Sequence, residues 1–167
     1  MTEPGNTEHG CYTEHGVSGY GVAVKLSRAE AMDAAWVRAM GEEMMLTIAN
    51  NCMGKGARCI GHIKSHMQTE TGTLKADTIG TSHGTYSSGE LAGPVTEIYM
   101  AVNSIVQGIP EDQVRSATLD GIHAVALARG LNLIREKEHS YFDEFDFTAS
   151  KQEYAKKLAE QFEEGDE

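Results

Sequence analysis

The stretch that decides the fold is Ala-Arg-Cys-Ile-Gly-His-Ile-Lys-Ser-His-Met-Gln at residues 57–68. Its two alternating series are Cys59, Gly61, Ile63, Ser65 and Met67, and Ile60, His62, Lys64, His66 and Gln68. Successive side chains of a strand point to opposite faces, so the alternation predicts a strand. We expect His62 and His66 to share one face, about 7 Å apart, and Cys59 to point to the other.

The neighbouring segments predict three more strands. Thr69 to Gly72 is typical of a turn, and residues 73–79 are rich enough in Thr and aliphatics to return as the second strand of a hairpin. Residues 20–26 and residues 131–136 are short and partly β-branched or alternating, which predicts a first and a last strand of the domain.

Helices are predicted between these strands. Ser27 and Glu30 form a capping-box pattern, which predicts a helix beginning at Arg28. After a predicted loop over residues 80–93, Pro94 precedes apolar residues at helical spacing, which predicts a helix ending at Gly108. Those apolar residues are Val95, Ile98, Val102, Ile105 and Val106.

A further helix is predicted after Pro110, and Ser150 with Glu153 predicts a C-terminal helix to about Phe162. The succession β-α-β-β-α(α)-β predicts an α+β fold of the ferredoxin-like, split βαβ type with that C-terminal helix added. We divide the chain into an irregular N-terminal arm (1–19), an α+β domain (20–139) and an acidic aromatic segment with the helix (140–167). An exposed apolar sheet face predicts a homo-oligomer.

Charge and composition exclude several classes of partner. The chain has 167 residues, 25 acidic and 14 basic, for a net charge of -11. The net negative charge disfavours binding to nucleic acid and to anionic membranes. No apolar run approaches the roughly 20 residues that cross a bilayer, so we expect a cytoplasmic protein. Three cysteines, Cys11, Cys52 and Cys59, fit reduced thiols, and we expect Cys59 to be a small buried apolar residue.

A metal site is the first candidate for chemistry. Imidazoles are preferred ligands of zinc, nickel and cobalt, so His62 and His66, completed by His83 of the following glycine-rich loop, are the candidate ligands. The alternative is a solvated strand face. The donors His9 and Cys11, with His15, form a second group, either an arm that hands on a soft metal or a tail without a role.

Two other functional classes remain open. Acid-base pairs of His83 with Asp77, or of His62 with Glu70, would make a small-molecule enzyme at a subunit interface. The segment 140–167 interleaves aromatic and acidic residues, so it either binds a partner protein or packs across its own domain. The preferred hypothesis is a non-enzymatic, oligomeric accessory module that binds a small ligand or transition metal near the hairpin at 57–80 and the loop at 80–93.

Short motifs carry one resemblance to a known family. Residues 61–64 (Gly-His-Ile-Lys), 73–76 (Thr-Leu-Lys-Ala), 103–106 (Asn-Ser-Ile-Val) and 108–111 (Gly-Ile-Pro-Glu) resemble parts of the C-terminal ferredoxin-like domain of metal-handling GTPases of the cobalamin-biosynthesis type. The resemblance covers about half of the chain and lacks the GTP-binding domain. It implies a stand-alone accessory or regulatory module and adds no catalytic residue.

Overall fold

Strands make up about half of the region that the computed structural model describes, which is residues 16–140. The strands are β1 (Val17–Met32), β2 (Cys59–Thr69), β3 (Gly72–Thr78), β4 (Tyr86–Leu91), β5 (Val95–Gln107) and β6 (Asn132–Ser140). The helices are α1 (Ala34–Gly54), α2 (Glu111–Ala128) and a short 3₁₀ helix (Thr81–His83). The α+β class predicted from the sequence is therefore confirmed.

All six strands belong to one antiparallel sheet in the order β4-β3-β2-β5-β1-β6. Helix α1 packs on β2 and β3, α2 packs on β1, and the two helices contact each other. The core lies between this helical layer and one face of the sheet. We call the sheet face turned away from both helices the distal face.

The predicted helix over residues 94–108 is wrong, because these residues form β5 at the centre of the sheet. Its apolar residues fit helical spacing, but buried and less buried positions alternate strictly from residue 98 to residue 107. The positions turned towards the helices are Ile98, Met100, Val102, Ser104 and Val106. Pairing with both β1 and β2 selects this period of two over the helical interpretation.

The first helix begins later than predicted. Ser27 lies in β1 opposite Glu97, so it does not cap a helix. Glu30 instead forms an ion pair with Arg28 at 2.8 Å. The N-cap is Asp33, whose carboxylate accepts a hydrogen bond from the backbone N–H of Trp36 at 2.8 Å. The first strand likewise begins at Val17 rather than at residue 20.

The predicted loop over residues 80–93 contains the 3₁₀ helix and β4, which pairs with β3 at the edge of the sheet. Gly89 makes this pairing possible: its φ is +96°, and a Cβ there would lie 2.2 Å from the carbonyl oxygen of Thr73. The predicted hairpin, the helix after Pro110 and the last strand are confirmed. The predicted C-terminal helix lies outside the described residues.

Two glycines let the helices approach their neighbours closely. A Cβ on Gly41 of α1 would meet the Met67 side chain at 2.6 Å, and one on Gly121 of α2 would meet Ile48 of α1 at 2.6 Å. Both glycines are buried, so α1 contacts the sheet directly at Gly41, and α2 contacts α1 directly at Gly121. Within residues 16–140, no helix combines the length and apolar character needed to span a membrane.

Candidate functional site on the distal face of the sheet

Strand β2 presents both candidate histidines on the distal face. Ile63, Ser65 and Met67 are buried towards the helices, whereas the alternate residues His62 and His66 are half-buried and exposed respectively. The extended conformation expected around Ile63 is confirmed.

The expected separation of about 7 Å between the two imidazoles is wrong. His62 and His66 are four positions apart, and a strand rises about 3.3 Å per residue, so their Cα atoms are roughly 13 Å apart. Lys64 lies between them on the same face. One metal ion bound by both rings would need each side chain to lean along the strand past Lys64.

A β-bulge at Gly61 changes the direction of Cys59. Ile60 pairs with Val106 and His62 pairs with Ile105, which leaves Gly61 as the extra residue. Cys59 therefore lies opposite Gln107 on the distal face, and its Sγ is 3.4 Å from Oε1 of Gln107. The expectation that Cys59 faces away from His62 is wrong, because the bulge shifts the alternation by one residue.

The cysteines also differ from the expectation of reduced thiols. Cys59 is disulfide-bonded and half-buried, so it is not a buried apolar residue. Cys52 of α1 is a free thiol with no exposed surface, and burial raises its pKa to about 11. Of these two sulfur atoms, neither is a ready metal ligand, because a thiolate is the ligand form.

Charged side chains surround His62. Lys64 lies opposite Asp77 of β3, and His66 lies opposite Lys75. The pKa of His62 is lowered from its ordinary value, first by burial and then by Lys64, while Asp77 acts in the opposite direction. At neutral pH His62 is therefore a neutral imidazole, which is the form that accepts a hydrogen bond or binds a metal.

A shallow depression of about 140 Å³ lies beside His66. It is lined by Ala23, Val24, His66, Gln68, Tyr99, Met100 and Ala101. Ala23 and Ala101 lie directly opposite each other on β1 and β5, and their small side chains leave the space. The polar groups of His66, Gln68 and Tyr99 border it.

Lys25 lies next to Tyr99, one of the residues that line this depression. Its Nζ lies 5.5 Å from the centre of the Tyr99 ring and 3.1 Å from Oε1 of Glu97. The pKa of Lys25 is raised mainly by its hydrogen bond to Glu97, so the ammonium group stays charged. Sequence reasoning missed this site, although the small residues Ala23 and Ala101 within two β-rich stretches were a signal that could have found it.

The remaining candidate residues do not assemble with these. His83 is exposed, and its Nδ1 lies 3.2 Å from Oγ of Ser82; no hydrogen bond or ion pair joins it to Asp77 within residues 16–140. Asp77 instead acts on His62. Glu70 lies in the turn at the opposite end of β2 from His62, so that pairing is wrong. The described part of the chain contains no group of three or more His, Cys, Asp or Glu side chains that could hold a metal ion.

Comparison with known proteins assigns no family. No family model matches the chain, and no curated protein matches it. A solved structure, that of a hydantoinase/carbamoylase family amidase from Burkholderia ambifaria, is similar with 15% sequence identity and a TM-score of 0.38. The match covers 76% of this chain and 30% of that amidase chain. A likeness of this size carries no argument about function.

Proposed function

We propose that this protein is a non-enzymatic, oligomeric accessory module that binds a small ligand on the distal face of its sheet, at the depression beside His66. The observation that carries the proposal is the set of polar groups of His66, Gln68 and Tyr99 around a floor of two alanines, with the Lys25 ammonium beside the Tyr99 ring. It refines the sequence-based hypothesis of a ligand site near the hairpin at 57–80 and the segment at 80–93.

The size of the depression limits the ligand. Pockets for drug-sized ligands measure about 300 to 1,000 Å³, whereas this depression measures about 140 Å³. It therefore suits a group of a few heavy atoms. Because Lys25 is a cation and Tyr99 and Gln68 carry hydrogen-bond donors, a small carboxylate is the ligand class that we favour.

A titration of the full-length protein with small carboxylates, from acetate to glutarate, tests this proposal by NMR. We expect shifts of the amides of β2 and β5 around His66 and Tyr99, and loss of those shifts in Ala101→Leu, which fills the depression. Ala92→Leu is the control, because Ala92 is exposed and lies outside the depression. Binding that survives Ala101→Leu, or no shift with any of the carboxylates, contradicts the small-ligand proposal.

A transition metal is the second ligand class, and zinc, nickel or cobalt bound by His62, His66 and His83 remains the proposal from the sequence. The neutral state of His62 supports it. The separation of roughly 13 Å between His62 and His66 means that other donors, such as those of a second copy, would have to complete a site at either ring.

Calorimetric titration of the protein with zinc, nickel or cobalt ions, each alone, tests the metal proposal. Single His62→Ala, His66→Ala and His83→Ala variants should weaken binding, while His123→Ala should not, because His123 is exposed on α2 in the helical layer. No heat of binding at neutral pH in the wild-type protein removes the metal proposal and leaves the carboxylate proposal untouched.

The strand order supports an elaborated split βαβ arrangement. The four strands β6-β1-β5-β2, with α1 after β1 and α2 after β5, follow the alternation expected of that fold, and β3 and β4 extend the sheet beyond β2. An accessory role in a homo-oligomer agrees with this architecture, and exposed Val17, Tyr99 and Ile134 contribute apolar surface to its sheet. Sedimentation equilibrium tests the oligomer, and a monomer at micromolar concentration contradicts it.

The cellular compartment is also a proposal. The lack of a long apolar run in the sequence predicted the cytoplasm, but the disulfide of Cys59 argues for an oxidising compartment. Fractionation of the native host, with thiols blocked before lysis, shows whether the protein lies in the cytoplasm or in an oxidising compartment.

A further inference from the structure

We propose that the ligand of the distal face carries two carboxylates, one at the depression and one at Lys75, and that Lys75 selects a linear dicarboxylate over a monocarboxylate. This inference rests on the proposed function, which assigns the depression to a small carboxylate. It adds a second charged group of the ligand and the residue that recognises it. The observation that carries it is the position of two lysines, Lys25 and Lys75, on opposite sides of the depression.

The register of the sheet places Lys75 in one row with the depression. Lys75 of β3 lies opposite His66 of β2, and His66 lies opposite Ala101 of β5. Ala101 in turn lies opposite Ala23 of β1. The last three residues of this row line the depression, and Lys75 is the next residue beyond His66. Because neighbouring strands are about 4.8 Å apart, the Cα atoms of Lys75 and Ala101 are separated by roughly 10 Å.

The Lys75 side chain belongs to the distal face. Leu74 and Ala76 are buried towards the helices, so the alternation of β3 turns Lys75 to the other side, where it is exposed. Asp77 and Glu90 carry carboxylates in the rows on either side of it. Lys75 nevertheless takes part in none of the ion pairs found among residues 16–140. An anionic ligand therefore meets a lysine that no described carboxylate holds within ion-pair distance.

Lys25 is the cation on the opposite side of the depression. It lies in the next row, opposite Tyr99, and its Nζ is 3.1 Å from Oε1 of Glu97. The strands β1 and β3 are three strand spacings apart, so Lys25 and Lys75 are about 14 Å apart across the strands. One carboxylate cannot contact both ammonium groups over this distance. A ligand with a carboxylate at each end can form a charge-assisted hydrogen bond on each side.

The floor between the two lysines is apolar. It is formed by Ala23 and Ala101, so a methylene chain can lie on it without losing hydrogen bonds to water, whereas a polar linker would lose them. The flexible four-carbon stem of Lys75 shortens the distance that the ligand must span. We therefore favour chains of the length of glutarate or adipate. Malonate is too short to occupy the depression and also contact Lys75.

Matched pairs of monocarboxylates and dicarboxylates test this inference by NMR titration of the full-length protein at low ionic strength. Glutarate should bind roughly two- to fivefold more tightly than pentanoate, as expected for one additional exposed charge pair. Glutarate should also shift the amide of Lys75, whereas pentanoate should not. Malonate should bind no more tightly than propionate, because its second carboxylate does not reach Lys75.

Variants of Lys75 test whether this residue is the source of the preference. Lys75→Gln should reduce the ratio of glutarate to pentanoate affinity to about one and leave the pentanoate affinity unchanged, while Lys75→Arg should retain the preference. The control is Lys55→Gln, at the exposed end of α1 in the helical layer, which should change neither affinity. Raising the salt concentration from about 10 mM to about 1 M should also remove the preference.

The outcomes separate this inference from the proposed function. Equal affinities for glutarate and pentanoate, with both lost in Ala101→Leu, contradict the second carboxylate and leave the small-ligand proposal standing. An equal gain for malonate and glutarate would show a general attraction of dianions to this face, and it would overturn the role of Lys75. Equal losses in Lys75→Gln and Lys55→Gln would overturn it as well. No binding of any of the acids contradicts both proposals.

Discussion

The hydroxyl oxygen of Thr118 in α2 lies 2.9 Å from the hydroxyl oxygen of Ser104 in β5, and neither residue has exposed surface. Thr118 also donates to the carbonyl oxygen of Val114 at 2.7 Å, so Ser104 supplies the proton that joins the two hydroxyls. This bond fixes α2 against the central strand of the sheet. It is a polar link within an apolar layer, where an unpaired hydroxyl would be costly.

Replacing Ser104 by alanine should lower the free energy of unfolding by about 1 kcal/mol, because a buried hydrogen bond is lost while Thr118 keeps its bond to Val114. Urea denaturation measures this change. In a double-mutant cycle with Thr118→Val we expect a coupling energy of about 1 kcal/mol. Strictly additive single effects would show that the two hydroxyls do not interact.

Gly121→Ala should lower the free energy of unfolding by roughly 1 to 3 kcal/mol, because the new Cβ would lie 2.6 Å from Cγ1 and 3.2 Å from the Cα of Ile48. The matched control is Gly54→Ala in α1, where nothing lies within 4 Å. That substitution should be neutral or stabilising by up to about 1 kcal/mol. Equal thermal shifts in the two variants would contradict the close helix contact.

The imidazole of His62 should titrate below its ordinary pKa of 6.5 in the folded protein. The unfolded chain then binds the proton more readily, so the contribution of His62 to stability is complete above pH 6.5 and is lost as the pH falls through the folded pKa. NMR titration should show a higher pKa in Lys64→Gln and a lower one in Asp77→Asn. Shifts in the reverse directions would refute the local charge arrangement.

The thiol of Cys52 should resist alkylation in the native protein and react after unfolding. It has no exposed surface, and burial raises its pKa to about 11, so almost no thiolate is present at neutral pH. Iodoacetamide labelling followed by mass spectrometry of the peptide that contains residue 52 measures this. Native labelling at the rate found in urea would disprove the burial of Cys52.

The alternation of residues 57–68 was sufficient to predict a strand with His62 and His66 on one face, and it is confirmed. Residues 95–107 were predicted wrongly, because their spacing of apolar residues satisfies a helix as well as a strand. Only pairing with β1 and β2 on both sides decides between the two periods. The same limit applies to Ser27, whose capping pattern was overridden by its place in the sheet.

By itself the sequence determined the acidic character, the α+β class, the hairpin of β2 and β3, and the face that carries both imidazoles. Each of these depends on composition or on the spacing of residues within one segment. The tertiary structure alone decided where separate segments meet. The bulge at Gly61 turns Cys59 to the distal face, and the register of β1 against β5 sets Ala23 beside Ala101 to leave the depression next to His66. Such contacts arise from pairing between strands that are distant in sequence. The spacing of residues within one segment does not specify that pairing.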